Sequence, residues 1–176
     1  MKSAQKNRRA KAAFRLMRKM SKELINQTLS IGIPEGFHVM DAQELKQAFQ
    51  SDHPDRWGIR NRESHVMVTV LWKDYPILLS KLADLKAVCR KNEQMAAKGY
   101  AGHDYQCGGF FSLTAAGLPA EGYRFSYSVD GVEQSAETIL FKLEKTIFTI
   151  TCGGRRENRE ADRELFDRII AGITLE

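Results

Sequence analysis

Tyr123-Arg124-Phe125-Ser126-Tyr127-Ser128-Val129-Asp130-Gly131-Val132 is the stretch that decides the fold. Tyr123, Phe125, Tyr127 and Val129 alternate with Arg124, Ser126 and Ser128, a period of two that writes a strand with one apolar and one polar face. Asp130-Gly131 then supplies two residues that accept the positive φ angles of a tight hairpin turn. That turn sets the register. Val129 faces Val132, and Arg124 faces Glu137 as an opposite-charge pair on the polar face.

Outward from this hairpin the alternation continues over 132–142 and 146–152, and 110–115 precedes 121–129 as a further strand. Residues 64–72 form a long strand with Val66, Val68, Val70 and Trp72 on one face and Met67 and Leu71 on the other. Apolar residues on both faces predict an interior strand. A helix over 80–98 carries Leu82, Leu85, Val88, Cys89 and Met95 on one side, with Gly99 as its stop. The closing helix, 157–171, buries Leu165, Phe166, Ile169 and Ile170, and its outer face carries Arg159, Glu160, Arg163, Glu164, Asp167 and Arg168. Towards the N-terminus, Asp41 and Glu44 make a capping box for a helix over 42–50. Ser51–Arg62 reads as a polar loop anchored by Trp57, and Ser30–Phe37 as an extended stretch broken by a Pro34-Glu35-Gly36 turn. Residues 4–28 read as one helix, with Ala13, Leu16, Met17, Met20 and Leu24 in a stripe.

Consecutive strands joined by tight turns require an antiparallel sheet, and helices must cover its faces. The fold class is therefore α+β, an antiparallel sheet flanked by helices in an α/β/α sandwich. It divides into a basic amphipathic N-terminal helix, 1–30, and a single globular domain, 31–176. The 176 residues suit one domain. No apolar run approaches the roughly 20 residues of a membrane-spanning helix. With 13 Gly and 4 Pro against 43% hydrophobic residues, collagen-like and disordered chains are excluded too.

The formal net charge is +5, but it is unevenly placed. Residues 1–30 hold nine of the 27 basic residues and one acid, Glu23, so the rest of the chain is mildly acidic. Lys6, Arg8, Arg9, Lys11, Arg15, Arg18, Lys19 and Lys22 are the candidate contacts to an anionic partner, a nucleic acid or a membrane surface, through residues 1–28. Basic residues interrupt the apolar positions of this segment, so it does not read as a secretory signal. Three cysteines (Cys89, Cys107 and Cys152), an odd number, point to free thiols in the cytoplasm. The sequon at Asn26 then has no glycosylation meaning.

The order of elements carries a resemblance. Ile33-Pro34-Glu35-Gly36-Phe37 is followed by a long helix ahead of a Gly-containing loop. Then come Gly117-Leu118-Pro119-Ala120, the Asp130-Gly131 hairpin, the Thr146–Thr151 strand and a terminal amphipathic helix. Over about residues 31–174 this resembles the PsbP-like superfamily, which includes the Ran-binding factor Mog and small bacterial PsbP-like proteins. The resemblance implies the fold and a role in binding other proteins, not an enzyme; it implies no cofactor and carries over no site residue.

Gly99, Gly102, Gly108 and Gly109 make neither a dinucleotide fingerprint nor a phosphate loop. His103, Cys107 and Cys152 have the donor types of a zinc site but lack paired spacing, and they read as small buried or semi-buried thiols beside a loop histidine. The same cysteines with His103 are the pieces of a nucleophile and base, the basis of the alternative reading as a small enzyme near the sheet end. Asp52-His53-Pro54-Asp55 reads as a solvated loop, and His38 and His65 as structural histidines. The Tyr123, Phe125 and Tyr127 row could stack bases, but Ser126, Ser128, Glu133 and Glu137 around it favour core packing. The sequence thus predicts no catalytic, cofactor or metal residues. It predicts a cytosolic, non-catalytic protein-binding domain, adaptor- or chaperone-like. The binding surface would be a sheet face or the groove beside a helix, where an apolar helix of a partner could lie.

Overall fold

In a computed structural model of the chain, which describes residues 20–49, 54–76 and 84–176, the Asp130-Gly131 hairpin forms in the predicted register. Asp130 (φ 50) and Gly131 (φ 76) both take the left-handed conformation that a two-residue turn demands. Val129 pairs with Val132, and Arg124 with Glu137.

The first half of the chain contains β1 (Ser21–Ile25), β2 (Leu29–Ile33), β3 (His38–Val39), α1 (Ala42–Phe49), β4 (Arg56–Asn61) and β5 (Val66–Asp74). The second half contains α2 (Leu85–Gly99), β6 (Gln106–Ala115), β7 (Leu118–Val129), β8 (Val132–Leu143), β9 (Thr146–Arg155), α3 (Arg159–Ala171) and β10 (Thr174–Leu175). Seven strands form one antiparallel sheet in the order β3-β4-β5-β9-β8-β7-β6, and β1-β2-β10 form a smaller one.

Each face of the large sheet has its own core. On one, Val66, Val68, Val70, Ile139, Phe141, Phe148 and Ile150 meet Phe166, Ile169 and Ile170 of α3 and Leu29 and Ile31 of β2. On the other, Tyr123, Phe125, Leu140 and Ile147 meet Cys89 of α2. The layers are thus a helix, the large sheet, and a helix set beside the small sheet, so one cover that was expected to be purely helical is half β.

The α+β class, the consecutive antiparallel strands and a helix on each face are as predicted; the helix expected over 80–98 begins at Leu85, and Leu82 lies outside the described residues. The capping box is reciprocal: the Glu44 amide donates to Asp41 (2.8 Å) and the Asp41 amide to Glu44 (3.3 Å). Phe37 N–H donates to the Pro34 carbonyl, closing the expected turn. Val66, Val68 and Val70 are fully buried within an interior strand.

Other expectations need correction. The predicted helix over 4–28, and with it the helical segment 1–30, does not cover residues 21–28, which belong to the β1–β2 hairpin. Residues 1–19, with Lys6, Arg8, Arg9, Lys11, Arg15, Arg18 and Lys19, lie outside the described residues. The helical stripe would have buried Leu24, which is 55% exposed; the core takes Ile25, Leu29 and Ile31 instead. Pairing of β2 with β10 from the far end of the chain overrides the local period. Residues 56–61 form a strand rather than a loop, because β3 and β5 pair with both its edges. Met95 of α2 is 63% exposed, so the buried side of that helix is narrower than expected. The helix runs through Gly99 and ends at Tyr100.

Candidate functional site

Strand alternation places consecutive residues of β7 and β8 on opposite faces of the sheet, and the two faces carry different chemistry. On the α2 face, Tyr123, Phe125 and Tyr127 pack with Tyr100 and Tyr105, and the Tyr100 and Tyr127 rings are stacked at 4.0 Å. The Tyr123 hydroxyl donates to Asn92 (2.8 Å) and the Tyr105 hydroxyl to Glu93 (2.9 Å), both on α2. Burial pushes the Tyr123 phenol up to about 12; burial and then Glu93 also push Tyr105 up. The aromatic row is core, not a stacking platform.

The α3 face is open at one end of the sheet. There, a groove of about 460 Å³ runs between α3 and the ends of β6, β7 and β8. Arg124 of β7 lies at its centre. Its Nε donates to Glu137 of β8 at 2.7 Å, while its guanidinium sits 4.1 Å over the Phe111 ring of β6. Arg163 of α3 approaches the same Glu137 oxygen at 4.0 Å, and Arg159, one turn earlier, lines the groove as well. Arg156 bonds Glu133 (3.0 Å) at the rim, where a second, larger and more open depression of about 960 Å³ begins around Val132 and Asn158.

Asp162 closes the inner wall. Its Oδ2 is fully enclosed and makes no hydrogen bond. Gly154 lies beneath it so closely that a Cβ there would come within 2.5 Å of that oxygen. Burial pushes this carboxyl up from an ordinary 3.8 to about 6. Cys152 lies on the same face, and burial followed by the charges of Asp162 and Glu137 pushes its thiol up. The lining mixes the charged Arg124, Glu137, Arg159 and Arg163 with the apolar Phe125, Ala136, Cys152 and Phe166.

The structure separates the sequence-predicted cluster. Cys107 pairs with Phe125 and shares the α2 face; Cys152 pairs with Glu137 and faces α3. His103 lies in the turn after α2, its Nδ1 3.0 Å from the Ser128 carbonyl. Cys89 is buried on the α2 face, its thiol pushed up to about 11 by burial. His38 bonds Glu44 through Nε2 (3.0 Å); this bond, and then that of Arg62, pulls the Glu44 carboxyl down to about 2. Asp52 and His53 lie outside the described residues. Lys22 is exposed on β1.

Arg159 and Arg163 escaped sequence reasoning as site residues because their helix positions read as solvated, and Asp162 was assigned to neither face of the helix. The signal that could have found them is Gly153-Gly154: two residues without side chains inside a strand leave room for a polar group of the covering helix.

No protein-family model matches the sequence, and no curated protein does. Among solved structures, cyanobacterial PsbP (CyanoP) from Synechocystis sp. PCC 6803 is similar at TM-score 0.69 and 12% identity, over 89% of this chain and 92% of that one. A protein from Bacteroides thetaiotaomicron is similar at TM-score 0.59 and 9% identity, over 88% of this chain and 48% of that one, so this chain spans about half of its length. At these identities the likeness is one of fold alone, and the fold is PsbP-like.

Proposed function

We propose that this chain is a non-catalytic, cytosolic protein-binding domain, adaptor- or chaperone-like, that holds part of a partner protein in the groove beside α3. The groove carries this reading: charged side chains from a helix and from two strands converge at the open end of the sheet. Two observations favour binding over a cysteine-based enzyme. Cys107 and Cys152, though both border the groove, lie on opposite faces of the sheet, and burial pushes the Cys89 and Cys152 thiols up, away from the thiolate that a nucleophile needs. The test is capture of a partner from the native host by the full-length chain, compared with an Arg159→Glu, Arg163→Glu variant. The same protein retained by the wild type and lost from the variant supports the groove; equal retention sinks it. Partner binding that survives Cys89→Ala, Cys107→Ala and Cys152→Ala together supports a non-catalytic role. A turnover that needs one of these thiols overturns it.

A second reading keeps the anionic partner. Residues 1–19 hold eight Lys and Arg and no acid, against 19 basic and 22 acidic residues in 20–176. Deleting 1–19, rather than 1–28, spares β1 and the buried Ile25. Retention on heparin should fall steeply with salt for the full chain and disappear on this deletion. Retention that survives it removes the charge argument.

A further inference from the structure

A sheet edge with unpaired N–H and C=O groups is a template for another strand, and proteins blunt such edges by keeping them short or charged. Here β3 and β10 have two residues each, and β1 carries Lys22 and Glu23. β6 has neither defence. It ends the seven-stranded sheet with ten residues, QCGGFFSLTA, that include no charge and no proline. Its bulge, between Cys107 and Gly109, leaves Phe110–Ala115 in regular pairing with β7.

We propose that β6 receives an extended segment of a partner protein as an eighth strand, and that this segment alternates acidic with apolar side chains. The proposal rests on the protein-binding reading above and says how the partner is held. Backbone pairing supplies affinity in such an arrangement, and side chains at alternate positions supply specificity. Towards α3, Gly108 and Gly109 put no side chain between the edge and Arg124, and Gly108 itself borders the groove. A side chain of the added strand at this level enters the groove and meets Arg124, Arg159 and Arg163. Of the acids lining the groove, Glu137 is engaged by Arg124 and approached by Arg163, the Asp162 Oδ2 is enclosed and Glu160 is exposed; Arg124, Arg156, Arg159 and Arg163 outnumber these three, so a carboxylate is the complementary group. Towards α2, Phe110 stands 50% exposed beside Tyr123 and offers an apolar seat for the next side chain.

A second copy of the chain complements this edge less well. β6 paired with itself would bring an uncharged strand to the arginines of both copies. One strand pair also covers less than the roughly 1,200–2,000 Å² of a stable interface.

The test uses the full-length chain and a fluorescein-labelled nonapeptide alternating Asp and Val, with Asn and Lys versions in place of Asp. The Asp peptide should bind saturably with Kd below about 100 μM, at least about tenfold tighter than the Asn peptide, and should protect amides of 106–115 from exchange. N-methylation of alternate peptide residues should abolish binding in one phase and spare it in the other, because only one edge of an added strand pairs. Arg159→Glu with Arg163→Glu, both exposed, should weaken the Asp peptide about tenfold and leave the Asn peptide unchanged. Equal binding of the Lys and Asp peptides, indifference to both N-methyl phases, or no saturation below about 1 mM overturns the proposal. So does a solution mass of twice 20.0 kDa that Phe110→Lys returns to the monomer value. A host partner whose capture survives Phe110→Lys, while the Asp peptide fails to bind, leaves the protein-binding reading standing and removes the edge from it.

Discussion

The α2 and α3 faces of the large sheet use alternate residues of the same strands. Tyr123, Phe125 and Tyr127 point towards α2 and build an aromatic layer whose buried hydroxyls at Tyr123 and Tyr105 are bonded to Asn92 and Glu93. Arg124 and Glu137, one residue away, point towards α3, where Asp162 lies enclosed without a partner. The polar groups of the first face are satisfied and serve stability. On the second face the Asp162 Oδ2 is enclosed and unsatisfied while several guanidinium groups border open space, an arrangement that costs stability and suits recognition. The difference teaches that one hairpin can supply both core and site, because a period of two divides its residues between them.

The sharpest way to break the comparison is to remove the aromatic layer. Phe125→Ala should cost about 3–5 kcal/mol in chemical denaturation, the range for a buried Phe truncated to Ala. A cost below about 1 kcal/mol would mean that the α2 face is not a core.

Gly122→Ala tests the seat under Arg124. A Cβ there would lie 2.5 Å from the Phe111 ring and 2.7 Å from the Thr138 carbonyl, which belongs to the sheet and cannot swing aside. The expected loss is about 2 kcal/mol by overpacking. An unchanged denaturation midpoint would place Phe111 elsewhere.

Asp162→Asn moves the other way. A carboxyl raised from 3.8 to about 6 binds its proton more tightly in the folded chain, so stability is greatest below about pH 4 and falls as pH rises to 6. Discounted for the part of the carboxyl that faces water, the gain from Asn at pH 7 is roughly 1 kcal/mol, vanishing by pH 4. Melting curves at the two pH values read it directly. A variant less stable than wild type at pH 7 would show that the ionised carboxylate has a partner. Glu44, held near 2 by His38 and Arg62, has the opposite sign: its contribution is present above 4.5 and lost as pH falls towards 2.

The smallest perturbation is chemical labelling, which leaves the fold alone. Cys107 is exposed at the edge, whereas Cys89 and Cys152 are buried on opposite faces. A thiol reagent should modify Cys107 alone in the native protein, and all three cysteines in denaturant. Native labelling of Cys152 would mean that the groove opens as far as its floor.

The hairpin at Asp130-Gly131, its register and the Arg124–Glu137 pair were legible because a turn and a period-two pattern are local. The capping box at Asp41 and Glu44 was legible for the same reason. The strand at 56–61 was not: Gly58 and the charges around Trp57 read as a loop until β3 and β5 pair on either side. The site was legible only in part. Arg124 and Glu137 could be paired from the turn alone. Bringing Asp162 and Arg163 over Gly154 needs α3 docked on β9, a contact between chain segments whose relative placement no periodicity encodes.

By itself, then, the sequence determined the α+β class, the antiparallel order of the C-terminal strands, the buried face of the closing helix and the uneven placement of charge. Turn chemistry, alternation and amphipathic periods are properties of neighbouring residues. The tertiary structure put residues 21–28, read as the end of a helix, into a hairpin whose second strand also pairs with β10, far off in sequence. It also set Cys107 and Cys152 on opposite faces and enclosed the Asp162 carboxyl above Gly154. These outcomes depend on which distant segments meet, and the energy of such meetings exceeds any local preference for helix or loop.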